Sequence, residues 1–312
     1  MRIDSYHYDV LNAAGDLLWL WRREDLAAIN GFSNFSVSAI ASDHRGGLLL
    51  LGHSYDTEKA VPLVGTLCRV AANGQVLGFE PFAPVPDSLL LEGWPGTEED
   101  YWVIGSANDG HADAYRYLAH LDKNLQVIGT FALQESQYPW VCFLPEADRI
   151  VLYCQCYHYG EEYGAIYALD TQLNQLAYLE FPDDVPSSVA RLRDGRWVVT
   201  FFRRSSEGIR DCVRIYDAAW NQIRSIDEIG FTEVTALDDG GFALIGSRLS
   251  PGQPSGALYI NSVQPKMDLI YHRYDTAGEL VRSEIFAARD SRSGYGYAIA
   301  RVDEQGTLGL YE

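Results

Sequence analysis

Leu67-Cys68-Arg69-Val70-Ala71-Ala72-Asn73-Gly74-Gln75-Val76-Leu77-Gly78-Phe79-Glu80-Pro81-Phe82 decides the fold. A strand-like run enters the polar pair Asn73-Gly74 and returns as a second strand ending on an aromatic residue. Asn and Gly suit a hairpin turn that requires positive φ. The element recurs at 6–21 around Ala14-Gly15, at 117–131 around Lys123-Asn124 and at 165–181 around Leu173-Asn174. Two more copies lie at 213–226 around Trp220-Asn221 and at 269–286 around Ala277-Gly278. An interval of about 50 residues is the signature of a repeat architecture.

A second hairpin alternates with the first. Its turns fall at 44–47, 96–100, 146–148, 193–195, 238–241 and 303–306, and each precedes a short apolar run. Short apolar runs bounded by turns are expected of strands buried between sheets. Each repeat is then four antiparallel strands, A-B-C-D, which is the content of one propeller blade. Six copies of each hairpin predict six blades if the C-terminal A-B hairpin pairs with the N-terminal C-D hairpin, which closes the ring and removes its open edge. The likeness of Tyr6-His7-Tyr8-Asp9 to Tyr271-His272-Arg273-Tyr274-Asp275 fits that closure.

On these residues the chain resembles six-bladed β-propellers over nearly its full length. The resemblance implies an all-β, single-domain protein spanning 1–312. Its blades lie near 38–82, 88–133, 140–181, 187–228 and 232–286, with a closing blade from 294–312 plus 5–22. Three segments depart from the repeat: 22–38, where 23–30 suits a short helix, 248–268, and 287–296. In such blades the B–C and D–A connections share one face and the short A–B and C–D turns the other. Long, varied loops therefore gather on one face, where binding residues concentrate.

Composition narrows the function. The chain of 312 residues carries 24 Lys and Arg against 43 Asp and Glu, a net charge of −19, and is 47% hydrophobic. That apolar content supports a core and excludes intrinsic disorder. The charge excludes nucleic acid and acidic membrane surfaces as natural partners. The amino terminus lacks signal-peptide order, and no apolar run approaches the roughly 20 residues of a membrane span. A cytoplasmic protein, monomeric when unbound, is expected. The five cysteines, Cys68, Cys142, Cys154, Cys156 and Cys212, are odd in number and dispersed, which favours reduced, mostly buried thiols over a disulfide framework.

Sequence motifs for catalysis are absent: no His-Glu-x-x-His, Gly-x-Ser-x-Gly or P-loop pattern occurs. Cys154-Gln155-Cys156 with His158 provides too few ligands for a structural zinc. Asn108-Asp109-Gly110-His111-Ala112-Asp113 lacks the Ca²⁺ loop with its terminal Glu and reads as a polar turn. No catalytic residue, metal or cofactor is assigned. The alternative is a metal-dependent hydrolase with Ca or Zn in the axial channel. Resemblance to lactonase-like propellers would draw ligands from Asn34, Asp87, Asp183, Asp184, Glu233 and Asp290.

A binding role uses the loop face. Tyr55, Asp56 and Glu58 lie in the first B–C connection, and Asp109, His111, Asp113 and Tyr115 in the second. Tyr157, Tyr159, Glu161, Glu162 and Tyr163 lie in the third, with Tyr138, Trp140, Asp183 and Asp184 in D–A connections. Aromatic anchors beside charges are the usual anatomy of a protein interface, and carboxylates there steer a basic partner. On its acidity, size, architecture and these loop residues, the chain resembles bacterial immunity proteins that neutralise type VI secretion nuclease toxins. The resemblance implies a non-catalytic inhibitor that occludes or distorts the active site of a cognate basic toxin.

Overall fold

The computed structural model describes residues 2–3, 7–11, 17–22, 26, 34–43, 46–56, 61–85, 88–95, 100–108, 114–133, 140–146, 148–158, 161–205, 208–226, 230–249, 267–287 and 299–311. The expected helix at 23–30 lies outside them apart from Leu26, as do nearly all of 248–268 and 287–296. Every sheet among the described residues is antiparallel, and the chain divides into two compact units, Met1–Tyr138 with Thr171–Asn174, and Pro139–Asp170 with Gln175–Glu312.

The first unit holds three sheets among the described residues. They are β1 (Arg2–Ile3), β2 (His7–Leu11) and β3 (Leu17–Arg22); then β4 (Asn34–Ser42), β5 (Leu48–Asp56), β6 (Val61–Val70) and β7 (Val76–Pro81); then β8 (Ser88–Pro95), β9 (Tyr101–Asn108), β10 (Ala114–Leu121) and β11 (Val127–Ala132). Alternate residues of facing sheets make the core, because successive strand side chains point to opposite faces. Leu49, Leu51 and Leu67 pack against Tyr101, Val103, Tyr117 and Ala119. Leu26, Phe35, Leu50 and Cys68 form a second cluster. Burial pushes the Cys68 thiol up to about 12.

The second unit repeats the pattern. Its four-stranded sheets are β12 (Trp140–Pro145), β13 (Arg149–His158), β14 (Glu161–Asp170) and β15 (Gln175–Phe181); β16 (Val185–Arg191), β17 (Trp197–Ser205), β18 (Gly208–Tyr216) and β19 (Gln222–Ile226); and β20 (Phe231–Ala236), β21 (Phe242–Leu249), β22 (Met267–Tyr274) and β23 (Leu280–Phe286). The hairpin β24 (Ile299–Val302) and β25 (Leu308–Tyr311) forms a two-stranded sheet. Val198, Val213 and Ile215 meet Phe242, Leu244 and Tyr274 between consecutive sheets, and Tyr271 meets Val302 and Leu308 at the last.

The C–D turns differ from the two-residue turns read in the sequence. Ala71 N donates to Gln75 O and Gly74 N to Ala71 O, which closes a three-residue loop with its third residue left-handed. The positive φ falls on Gly74, Leu125, Leu173, Trp220 and Gly278, so Asn124, Asn174 and Asn221 do not carry it. The first residue of the turn explains the geometry. Asp217 Oδ1 accepts from Ala219 N and Asn221 N, and Asp275 Oδ1 from Ala277 N and Glu279 N, at 2.8–2.9 Å. A left-handed Leu or Trp costs about 1–2 kcal/mol. At Trp220 the ring stacks on Trp197 at 4.6 Å, and the residue is buried.

All six C–D hairpins also share a β-bulge just after the turn. The pairing jumps from Leu11↔Leu17 to Val10↔Trp19, and equivalent jumps leave Leu77, Ile128, Leu176, Ile223 and Val281 as extra residues. The bulged position is aliphatic every time, and the five described side chains are exposed. A bulge twists an edge strand and interrupts its ladder.

Candidate functional site

At the loop ends of the second unit, β13 and β14 set Tyr157 opposite Glu162, His158 opposite Glu161 and Cys156 opposite Tyr163. Trp140 stands opposite Gln155, whose amide donates to the Glu162 carboxylate. Gly164 then admits the next connection: a Cβ there would lie 2.3 Å from the Asp184 carbonyl oxygen and 2.4 Å from Pro186 Cδ. Without a side chain at Gly164, the 183–186 segment packs against β14 two residues from Glu162. Two stretches 20 residues apart in sequence thereby share one loop end.

Their exposure differs. Asp183 is exposed and Glu162 half-buried, whereas Tyr163 is 8% and Asp184 5% exposed. Asp184 pairs with Arg214 of β18, whose guanidinium also lies 4.6 Å from the Phe201 ring centroid. Burial works most strongly against the Arg214 charge, but the Asp184 hydrogen bond and charge, together with Cys212 and Tyr216, outweigh it and raise the Arg214 pKa. Asp184 therefore anchors the connection, and Asp183 presents its charge to solvent. Arg214 carries no motif and is legible only as one of the many arginines suited to planar ion pairs.

Other expected binding residues lie in strands: Tyr55 and Asp56 end β5, Tyr115 is in β10, Trp140 begins β12, Tyr157 is in β13 and Glu161 begins β14. Glu58, Asp109, His111, Asp113, Tyr138 and Tyr159 lie outside the described residues, as do Asp87 and Asp290 of the alternative metal set. Among the described residues no three His, Cys, Asp or Glu side chains converge as a metal cage requires. Cys154 and Cys156 are buried thiols with their sulfurs 3.5 Å apart, and neither they nor Cys68 and Cys212 are joined in a disulfide. No described helix is long and apolar enough to cross a membrane.

No protein-family profile and no curated protein matches the sequence. Solved structures do. The β-propeller domain of the Trilobed protease from Pyrococcus furiosus, with an open velcro topology, superposes with a TM-score of 0.52 at 12% identity, over 89% of this chain and 78% of that one. A neuraminidase-like protein from A/bat/Guatemala/164/2009 gives 0.44 at 8% identity over 80% and 74% of the two chains. Prolyl oligopeptidase B from Galerina marginata gives 0.47 at 12% identity over 88% of this chain, which spans 38% of that protein's length. The likeness to the protease domain shows the fold. It is a β-propeller.

Proposed function

We propose that this propeller is a non-catalytic acidic binding protein, an immunity protein of the type VI secretion kind that holds a cognate basic toxin in an inactive state. The toxin fitting this chemistry best is a nuclease, whose substrate site must be basic to bind phosphates. One observation carries the reading: Gly164 lets the 183–186 segment pack against β14, which gathers Glu162 and Asp183 at the loop end of β13 and β14. On a chain of net charge −19 that cluster would capture a basic surface, with aromatic residues supplying the desolvated centre. The protein would act in the cytoplasm as a one-to-one inhibitor, without metal or cofactor.

Co-purification of the tagged chain from its native cytosol at low and high salt tests this reading. The expected result is one basic protein at equal stoichiometry whose toxic activity the propeller suppresses. A chain that returns alone, or with a partner whose activity it leaves unchanged, contradicts it.

The scaffold proposed for this role has six blades, with β2–β3 completing the sheet begun by β24–β25. Two features support the sixth blade. The 303–306 turn docks on the preceding A–B turn and on β22, through Asp238 N donating to Glu304 O at 2.7 Å and Tyr271 Oη to Gly306 O at 3.0 Å. A cavity of about 420 Å³ beside it, lined by Tyr271, Arg273, Arg282, Glu284, Phe286 and Leu308, offers a face against which side chains of a further strand would pack. Deleting residues 1–22 is expected to lower the melting temperature sharply, whereas an unchanged melting curve would refute closure.

A further inference from the structure

We infer that β23 is a self-complementary edge through which two copies of this chain associate. β23 is the outermost strand of its sheet and pairs only with β22 among the described residues. It reads Leu280-Val281-Arg282-Ser283-Glu284-Ile285-Phe286. A two-fold axis between antiparallel strands must set one residue opposite itself, because neighbouring pairs alternate between hydrogen-bonded and non-hydrogen-bonded types. Centred on Ser283, the axis sets Arg282 of each copy against Glu284 of the other. Leu280 and the bulged Val281 then fall against Phe286 and Ile285, respectively. Opposite charges meet opposite charges and apolar residues meet apolar ones, in duplicate.

The exposure pattern singles out this edge. Leu280, Val281 and Ile285 are 48%, 58% and 48% exposed, three large aliphatics on one outer strand. The other complete outer strands are less suited. β7 contains Gly78 and Pro81, β11 contains Gly129, and β19 has only five residues. Glycine weakens a strand and proline removes a ladder donor. β15 also has seven residues without either, but its centred register would set Leu176 against Glu180. Arg282 and Glu284 already contact each other within the strand, Nε to Oε1 at 2.7 Å, so both heads sit together on the face of β23 that lines the cavity beside Tyr271. A free chain is then a weak dimer at high concentration, in place of the monomer expected from sequence.

Sedimentation equilibrium of the full chain from about 5 to 200 µM, at about 0.15 M salt to screen the repulsion between two acidic chains, tests the inference. The parent should show a monomer–dimer equilibrium. Arg282→Glu alone, or Glu284→Arg alone, should raise the dissociation constant by about tenfold, because two attractive cross-strand pairs become two repulsive ones. The double swap, Arg282→Glu with Glu284→Arg, should restore the parent value. These side chains are exposed or at the surface edge, and an unchanged melting temperature for each variant confirms that the fold is retained. A parent that stays monomeric throughout, or a dimer that none of the three variants alters, overturns it.

Discussion

At their turn ends the sheets of the second unit are tied by the chain to itself; at their loop ends they hold carboxylates out to solvent. On the turn side Arg191 reaches Asp148 at 2.6 Å, Arg193 reaches Asp238, and Gln305 reaches Asp238 at 2.9 Å, so each A–B turn is bonded to the next. Arg224 bonds Ala277 O and Glu279 across the C–D turns. Acidic residues there are spent on turn geometry and ion pairs. On the loop side Asp184 is consumed in that manner by Arg214, whereas its neighbour Asp183 is exposed. Acidic residues thus do different work at the two ends: one end fixes the scaffold, and the other is the end to which the proposed function assigns the partner.

The largest expected effect breaks the turn side. Trp220→Ala removes a buried ring stacked on Trp197 and should cost about 3–5 kcal/mol in chemical denaturation. A loss below about 1 kcal/mol would mean that the stack does not hold the left-handed turn. Slightly smaller is the loop-side anchor. Asp184→Asn should cost about 2–3 kcal/mol by leaving the half-buried Arg214 without its counter-charge, and the joint change Asp184→Leu with Arg214→Met should recover most of that loss. If the double variant is no better than the single one, the pair is not the unit that holds the connection.

Asp275→Ala removes two backbone-to-carboxylate bonds of one C–D turn and should cost about 1 kcal/mol. The smallest effect concerns pH. The Arg149 hydrogen bond, helped by Arg191 and opposed by burial, holds the Asp148 carboxyl well below the usual range. A depressed carboxyl contributes stability above the ordinary carboxylate range and loses it as the pH falls through its folded value. Asp148→Asn should therefore lower the melting temperature slightly near neutrality, with the gap closing in strong acid. A gap independent of pH would assign the loss to packing.

Much of the scaffold was legible in the sequence because its signals are local. Apolar runs such as 150–153 and 242–245, bounded by turns, mark strands wherever they stand, and each becomes part of an antiparallel sheet. The turns were read one residue short because the left-handed position is Leu125, Leu173 or Trp220 in three copies. At Leu125 and Trp220 burial pays the strain that composition would assign to Asn or Gly. The signal that does persist is the aspartate five residues before the returning strand, at Asp122, Asp217 and Asp275. The site was legible as a set of residue types, and its arrangement was not. That Tyr163 is buried, that Asp184 belongs to Arg214 and that Gly164 seats the 183–186 segment are all consequences of contacts between strands distant in sequence.

The measurement that bears most directly on the acidic loop end is the association rate with the co-purified basic partner across a range of ionic strength. Glu161→Lys, Glu162→Lys and Asp183→Lys together should slow association by about tenfold or more at low salt and flatten its salt dependence, because steering by these carboxylates is lost. A triple variant that binds as fast as the parent, with the same salt dependence, would contradict the claim that this face captures the partner.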